Sequence, residues 1–365
     1  MQPKNTLDKI YKRLVILVIV IAGIIALRDV VIPVAFAILF SIVLLPIERR
    51  LERKTGRIVA IVITLLGATA IFGLALWFVI SQAANLIASL PGLEQKFYSI
   101  VNRASDTLHY SYNIGTDDQA RYATDAIKEL STSVAGLLLS TSYLVLFIVQ
   151  VPIYIFLFLL YRDKFKVFML TYTDGDELIW QKDVEKVVQG YITGLVIVIA
   201  ITGALIATGL LILGIDHAIF FGFLSGTLVM IPYIGIGIGA ILPFLVALAT
   251  KDSIWYAIGV LGVHWFVQFL EGNFITPRIT GSRISINAVA AIIALLIGER
   301  MLGIPGMILA VPAVGTLRIF LNSSKTFKPF GALLEGSPTK SKDHAPEPKP
   351  LIPDHEPDNS GSPAS

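Results

Sequence analysis

Eight apolar runs, 14–27, 30–47, 58–80, 137–160, 191–213, 216–231, 236–250 and 253–270, divide this chain and leave it few folds to choose from. A bilayer core about 30 Å thick takes roughly 20 apolar residues as helix, and each run comes near that length. Backbone in lipid must satisfy its own hydrogen bonds, which leaves helices or closed barrels. Runs without strand-like alternation are helices. Composition agrees: 55% of residues are hydrophobic and 15% charged, against about 25% charged in soluble chains. Two shorter runs, 286–297 and 304–321, follow as a pair. The expected fold is therefore all-α, a polytopic transmembrane bundle of about eight spans, with Gly/Pro-rich hairpins that are broken or re-entrant.

Basic residues orient the bundle. With the N-terminus inside, segments 1–13, 48–57, 161–190, 271–285 and the C-terminal region hold most of the 29 lysines and arginines. Both termini are then cytoplasmic. Residues 14–27 follow Lys12 and Arg13 like a signal core, but Arg28 and Asp29 come next without a small-residue cleavage pattern, so an uncleaved first span is expected. The basic turn ERRLERKTGR (48–57) reads as a topology determinant.

Four regions emerge. Residues 1–80 comprise a cytoplasmic segment and three spans. Residues 81–136 are expected to form an extracytoplasmic amphipathic helical hairpin, with Leu86, Leu90, Leu93, Phe97 and Ile100 on one face. Residues 137–322 form the core, interrupted by a cytoplasmic connector at 161–190. There Val184, Val187, Val188 and Tyr191 predict an amphipathic helix along the inner interface, with Trp180 at headgroup level. Residues 323–365 are polar, proline-rich and aperiodic, and are expected to be a disordered cytoplasmic tail.

Several chemistries have no residues to carry them. The chain has no cysteine, so disulfides, Cys-ligated zinc and thiol nucleophiles are excluded. It contains no P-loop, no H-E-x-x-H and no G-x-S-x-G. His109, His217, His264, His344 and His355 are scattered, without metal-ligand spacing. GIGIG (235–239) lacks the third glycine and following acid of a dinucleotide site. Basic residues mark inner loops, so nucleic-acid binding has no support. Enzymatic activity and cofactors are not expected.

Three places break the helical rule inside the membrane. In MIPYIGIGIGAILP (230–243), Pro232 and Pro243 each remove an amide, and Gly235, Gly237 and Gly239 soften what remains. Gly222/Gly226 and Gly235/Gly239 have the small-xxx-small spacing of closely packed helices. Tight packing and a hinge are both consistent with it. In EGNFITPRITGSRIS (271–285), polar residues follow an apolar run, and His264, Gln268 and Glu271 share one helical face. Asn273, Thr276, Pro277, Arg278 and Gly281 continue the polar stretch. Arg278 fits headgroups and pathway equally well, whereas Gln268 and Glu271 point to a pathway. In LLIGERMLGIPGMILAVP (295–312), Glu299 and Arg300 precede Gly303, Pro305, Gly306 and Pro312. This pair either crosses twice or forms a re-entrant hairpin.

Several of these elements sit at fixed offsets: QGYITG (189–194), LGID (213–216), IPYIGIGIGAILP (231–243), N-x-x-x-P-x-x-x-G at Asn273, Pro277 and Gly281, and GIPGMILAVP (303–312). On these the chain, over about 10–322, resembles the autoinducer-2 exporter family, also described as PerM-like permeases. The resemblance implies secondary transport across a bacterial cytoplasmic membrane, eight helices or helix equivalents, and homo-oligomers. It associates some members with export of the quorum-sensing signal autoinducer-2 and others with sodium (or lithium)/proton antiport.

The expected function is a carrier working by alternating access on a small polar solute such as autoinducer-2. A sodium/proton antiporter is one alternative. A non-transporting scaffold acting through the tail and the 81–136 hairpin is another. Pro232, Gly235, Gly237, Gly239 and Pro243 would be one flexible hairpin, and Asn273, Pro277, Gly281 and Gly303 to Pro312 the other half of the pathway. If protons or sodium couple transport, Glu271 and Glu299 are the expected carriers, with Gln268 and Asn273 as neutral ligands. Membrane lipid, a small solute or a monovalent cation, and further copies of the chain are the expected partners.

Overall fold

The computed structural model describes residues 4–112, 141–171, 178–230, 234–279, 286–323 and 327–336. Among them the chain is helical almost throughout, with one antiparallel bridge, Ile286 to Glu335, outside the helices. The helices are α1 Lys4–Ala26, α2 Arg28–Thr55 and α3 Arg57–Tyr112, then α4 Thr141–Leu160, α5 Arg162–Thr171 and α6 Leu178–Ile212. The second half contains α7 Ala218–Leu228, α8 Ile234–Thr250, α9 Ile254–Leu270, a π-helical turn Glu271–Ile275 and α10 Thr276–Ile279. It closes with α11 Ala288–Leu302, α12 Ile304–Ser323 and α13 Lys328–Leu334. This is the all-α membrane bundle the sequence predicts. Five stretches are long and apolar enough to cross a bilayer: 28–55, 57–86, 182–212, 254–279 and 304–323.

Breaks between helices have local causes. Gly56 (φ +82°) separates α2 from α3 and Gly303 (φ +68°) separates α11 from α12. Both lie in the left-handed region that glycine enters without steric cost. Prolines inside the long helices do not end them, provided something satisfies the carbonyl four residues earlier. Pro46 of α2 frees the Ile42 carbonyl, and the Gln189 side chain of α6 donates to that oxygen at 2.8 Å.

Two apolar clusters organise the molecule. One gathers Ala83 and Leu86 of α3, Ile206 and Leu210 of α6, Phe220 and Phe221 of α7, Ala247 of α8 and Val260 of α9. The other gathers Phe36 and Leu39 of α2, Ile61 of α3, Ile155 and Leu159 of α4, Val188 of α6 and Leu309 of α12. The long helices α3 and α6 contribute to both and act as common struts. Small residues let α6 and α7 approach closely. A methyl group at Gly222 would stand 2.5 Å from the Gly203 carbonyl oxygen, and one at Gly226 2.6 Å from that of Ile199.

Some segments differ from expectation. The span 58–80 and the start of the 81–136 hairpin are one unbroken helix, α3, and residues 113–136 lie outside the described ones. Of the stripe that begins at Leu86, only Leu86 has a described side chain, and it is buried in the first cluster. The connector 161–190 contains α5, and its second half is the start of α6, which continues straight into the span. Val188 is buried there, with Val184 and Tyr191 packed beside it, so that face meets helices instead of headgroups. The region 216–250 forms two short helices: α7, 11 residues, is about 16 Å long. Within 323–365, α13 is ordered and its following residues bridge back to α11. Asn287 accepts from the Ala290 amide as the cap of α11, and its own amide nitrogens donate to Leu333 and Leu334 carbonyls. Arg318 pairs with Glu335 at 2.6 Å. Residues 337–365 lie outside the described ones.

Candidate functional site

Helix α9 is built inside out. Trp255, Ile258, Leu261, Trp265 and Phe269 are exposed, as lipid-facing side chains would be. Ala257, Val260, His264, Val267 and Glu271 recur at intervals of three and four on the buried face. The helix therefore presents small and polar groups inward, the reverse of a soluble amphipathic helix.

Pro277 explains what happens at its end. A proline cannot donate, and its ring clashes with the carbonyl four residues back, here Asn273. The chain relieves this by widening into the π turn Glu271–Ile275, where the Thr276 amide reaches back to the Glu271 carbonyl. Such turns leave backbone carbonyls short of donors. The Asn273 side chain meets one need, donating to the Phe269 carbonyl at 2.9 Å. Phe269 in turn stacks on Trp265 and meets Phe274 edge-on, which covers the outer side of the break.

On the inner side sits Glu271, 8% exposed. Gln268 donates to one carboxylate oxygen at 2.8 Å, and the Thr276 hydroxyl donates to the other. Among the described residues, each oxygen thus has a neutral donor. This arrangement can hold a negative charge at depth, or exchange a donor for a passing solute. Helix α6 packs against both α9 and the π turn, and α12 packs on α6.

The remaining sequence-derived candidates fall elsewhere. Asn273, Pro277 and Arg278 are exposed, and Gly281 and Pro232 lie outside the described residues. Gly235 packs against the Leu228 carbonyl and Gly239 against the Ser225 hydroxyl, while Gly237 faces open space. Pro243 and Pro312 are buried and Pro305 half-buried. Glu299 is exposed near the tip of the α11–α12 hairpin, about 18 Å along α11 from Asn287; the hydrogen-bond partners of Glu271 among the described residues are Gln268 and Thr276. At that tip Gly298 and Gly306 press backbone to backbone, and a methyl group at Gly298 would lie 2.5 Å from the Gly306 carbonyl oxygen. Helix α11, 15 residues, reaches about 22 Å and falls short of a bilayer core.

Two polar arrangements escape a reading of the sequence. Ser225 of α7 donates to the Gly239 carbonyl at 3.0 Å and lies 3.3 Å from His264 Nε2. A second cluster lies where α2, α3 and α5 meet. Arg162 bridges Glu48 and, at 2.5 Å, Glu52. Arg57 pairs with Asp163 at 2.5 Å and Arg49 with Glu185 at 3.5 Å. Glu48 is fully buried, and its Oε1 has no hydrogen-bond partner. Burial works against the Arg162 charge, but hydrogen bonding and attraction from Glu52 and Glu48 outweigh it and raise its pKa above the ordinary arginine value. The available signal was the i, i+4 pair Glu48/Glu52 in a turn read only for its basic residues. Among the described residues, no three His, Asp or Glu side chains converge on a metal-sized site.

Comparison with known proteins adds a family. The profile described as AI-2E family transporter matches residues 14–325. The AI-2 transport protein TqsA of Escherichia coli strain K12 is 24% identical over 340 residues, 89% of this chain and 95% of TqsA. YhhT of the same strain, provisionally described as a transport protein, is 24% identical over 356 residues, covering 93% and 98% of the two chains. YrrI of Bacillus subtilis strain 168, also provisionally described as a transport protein, is 34% identical over 140 residues, 38% of this chain and 39% of YrrI.

Proposed function

The chain belongs to the AI-2E transporter family, and we propose that it is a secondary carrier exporting a small polar solute of the autoinducer-2 type by alternating access. It is a multi-pass bacterial membrane protein. Its place in this reading is the cytoplasmic membrane, with both termini inside. The observation that carries the proposal is Glu271: a buried carboxylate held by Gln268 and Thr276 at a π-helical break in a stretch otherwise able to span the bilayer. Broken helices and ionisable groups at depth persist where they line a pathway. A hydroxylated solute could replace the Thr276 or Gln268 hydrogen bond one for one. The short α7–α8 hairpin and the α11–α12 hairpin are the elements that would rearrange.

The deciding experiment measures autoinducer-2 inside and outside cells with and without the gene. The proposal expects intracellular signal to rise on deletion and to fall again on complementation. Glu271→Gln should restore export about tenfold less well, the loss expected for weakened hydrogen bonds to a charged group. Equal accumulation in all strains would overturn the reading. The same buried carboxylate favours cation/proton antiport as a second reading. It would show as a sodium-driven pH change in everted vesicles that Glu271→Gln abolishes.

A further inference from the structure

Among the described residues, His264 is the one ionisable side chain in the apolar heart of the α6–α9 cluster. It is 5% exposed and stands about 15 Å along α9, near the middle of a hydrocarbon core about 30 Å thick. Helices α7 and α8 carry no ionisable residue, and α6 carries none from Ile192 to Ile212, its ionisable groups lying in its first turns up to Tyr191. The neighbouring part of α3, 57–86, has only Arg57 at its far end. On the stretch containing His264 itself, the nearest ionisable groups are Tyr256 and Glu271, each about two turns away.

Its bonds form a chain whose hydrogens can be counted. Pro243 lacks an amide hydrogen, so the Gly239 carbonyl four residues before it has no helical donor. Ser225 supplies one, Oγ to oxygen 3.0 Å. A hydroxyl has a single hydrogen, and that bond commits it. Toward His264 Nε2, 3.3 Å away, Ser225 then offers only a lone pair. On the other side of the ring, Nδ1 is 3.0 Å from the Val260 carbonyl oxygen, which also can only accept. Both ring nitrogens therefore face acceptors, and both contacts are hydrogen bonds only when both nitrogens carry hydrogen. In the neutral ring, Ser225 must either turn its hydrogen to Nε2 and abandon Gly239, or leave two lone pairs opposed.

We propose that His264 is a proton-binding site of the carrier, and that its loading decides whether Ser225 ties down the Gly239 carbonyl of the α7–α8 hairpin. The proton adds to the Nε2 lone pair, and the serine hydrogen goes to Gly239. When the proton leaves, Ser225 turns to Nε2 and an unpaired carbonyl is released at the start of α8, beside the open Gly237. A carbonyl freed at mid-membrane is an acceptor for a solute hydroxyl or a cation. Burial makes the imidazolium costly, so loading responds to which face of the membrane hydrates the site. The proton site deepens the carrier reading and rests on it for its purpose, though not for its chemistry.

The test uses the full-length protein in lipid nanodiscs, labelled with nitrogen-15 histidine, with His109, His217, His344 and His355 changed to Gln so that one ring reports. Between about pH 8 and about pH 5, the two unlike ring resonances of the neutral form should converge to the near-equal pair of the cation. Ser225→Ala removes one acceptor for the Nε2 hydrogen, leaving the Gly239 carbonyl beside the ring as the other, and should weaken proton binding by up to about tenfold. Pro243→Ala restores an amide for Gly239 and frees the serine hydrogen for Nε2, so it should also move the midpoint to lower pH. A histidine that only packs would stay neutral throughout, and that result overturns the proposal. So does a midpoint unmoved in both variants. A titrating ring in a protein that moves no solute would keep the proton site and remove the carrier reading. Autoinducer-2 export by a protein whose ring never titrates would do the reverse.

Discussion

At the scale of single residues, Glu48 is the carboxylate most fully withdrawn from solvent among the described residues, with one oxygen unpartnered. Its charge is supported by Arg162, which also holds Glu52. Breaking a buried ion pair from one side leaves a bare charge and costs about 3–5 kcal/mol. Arg162→Met should therefore lower stability by about that much. Glu48→Gln should cost only about 1 kcal/mol, because Arg162 keeps Glu52 and the amide keeps the shape. Thermal unfolding in detergent, compared side by side, checks the order of the two. At Glu271 the donors among the described residues are neutral, Gln268 to one oxygen and Thr276 to the other. The polar stripe that contains it is legible in the sequence as a spacing of four and three. Glu48 and Arg162 are not, because 114 residues separate them and no local pattern pairs an acid in one turn with a base in another.

At the scale of elements, prolines and glycines decide how helices meet, and each use has a separate test. Gln189 donates to the carbonyl that Pro46 leaves free. Gln189→Leu should cost about 1–3 kcal/mol, the penalty of an unsatisfied buried acceptor. In a Pro46→Ala background the regained amide serves that carbonyl, so the same change should cost little. The double-mutant cycle in thermal stability should show that difference as coupling. Glycines separate in the same way. A methyl at Gly306 collides with the Gly298 carbonyl, whereas one at Gly237 meets nothing within 4 Å. Gly306→Ala should destabilise the α11–α12 hairpin by about 1–3 kcal/mol. Gly237→Ala should stabilise by up to about 1 kcal/mol, and it should slow transport if α8 flexes there. Unchanged flux in Gly237→Ala would remove that residue from the hinge. Apolar runs and glycine spacing made the existence of these helices and a close approach along the Gly222/Gly226 face readable in advance, though not that α6 is the partner. Helix continuity was less readable: α3 and α6 run through polar stretches that look like boundaries, and in α6 those turns are held by the Arg49–Glu185 pair and by buried Val188. Helix α13 was missed for a related reason. Its few apolar residues carry no period, and its order comes from Asn287, Arg318 and the bridge to Ile286.

At the scale of the whole molecule, sidedness rests on two separate supports. The ion pairs Arg57 to Asp163 and Arg49 to Glu185 bring the turn after α2, the start of α5 and the start of α6 to one end of the bundle. The approach of Lys251 to Gly214 brings the turns before α7 and after α8 together at an end of their own. Which of these ends faces the cytoplasm follows only from the distribution of lysine and arginine. A chain without native cysteine allows the two claims to be tested apart. Single cysteines at Lys54 and Lys186, both exposed, should react alike with a membrane-impermeant maleimide. Cysteines at Asp216 and Asp252, also exposed, should react alike with each other. Intact cells should label the second pair and everted vesicles the first. If Lys54→Cys and Lys186→Cys label from opposite faces, the ionic cluster does not hold those turns together and the fold at that end is wrong. If each pair labels together but from the reversed side, the fold stands and the charge-based orientation fails. The direction of any transport through the Glu271 break would then have to be reversed with it.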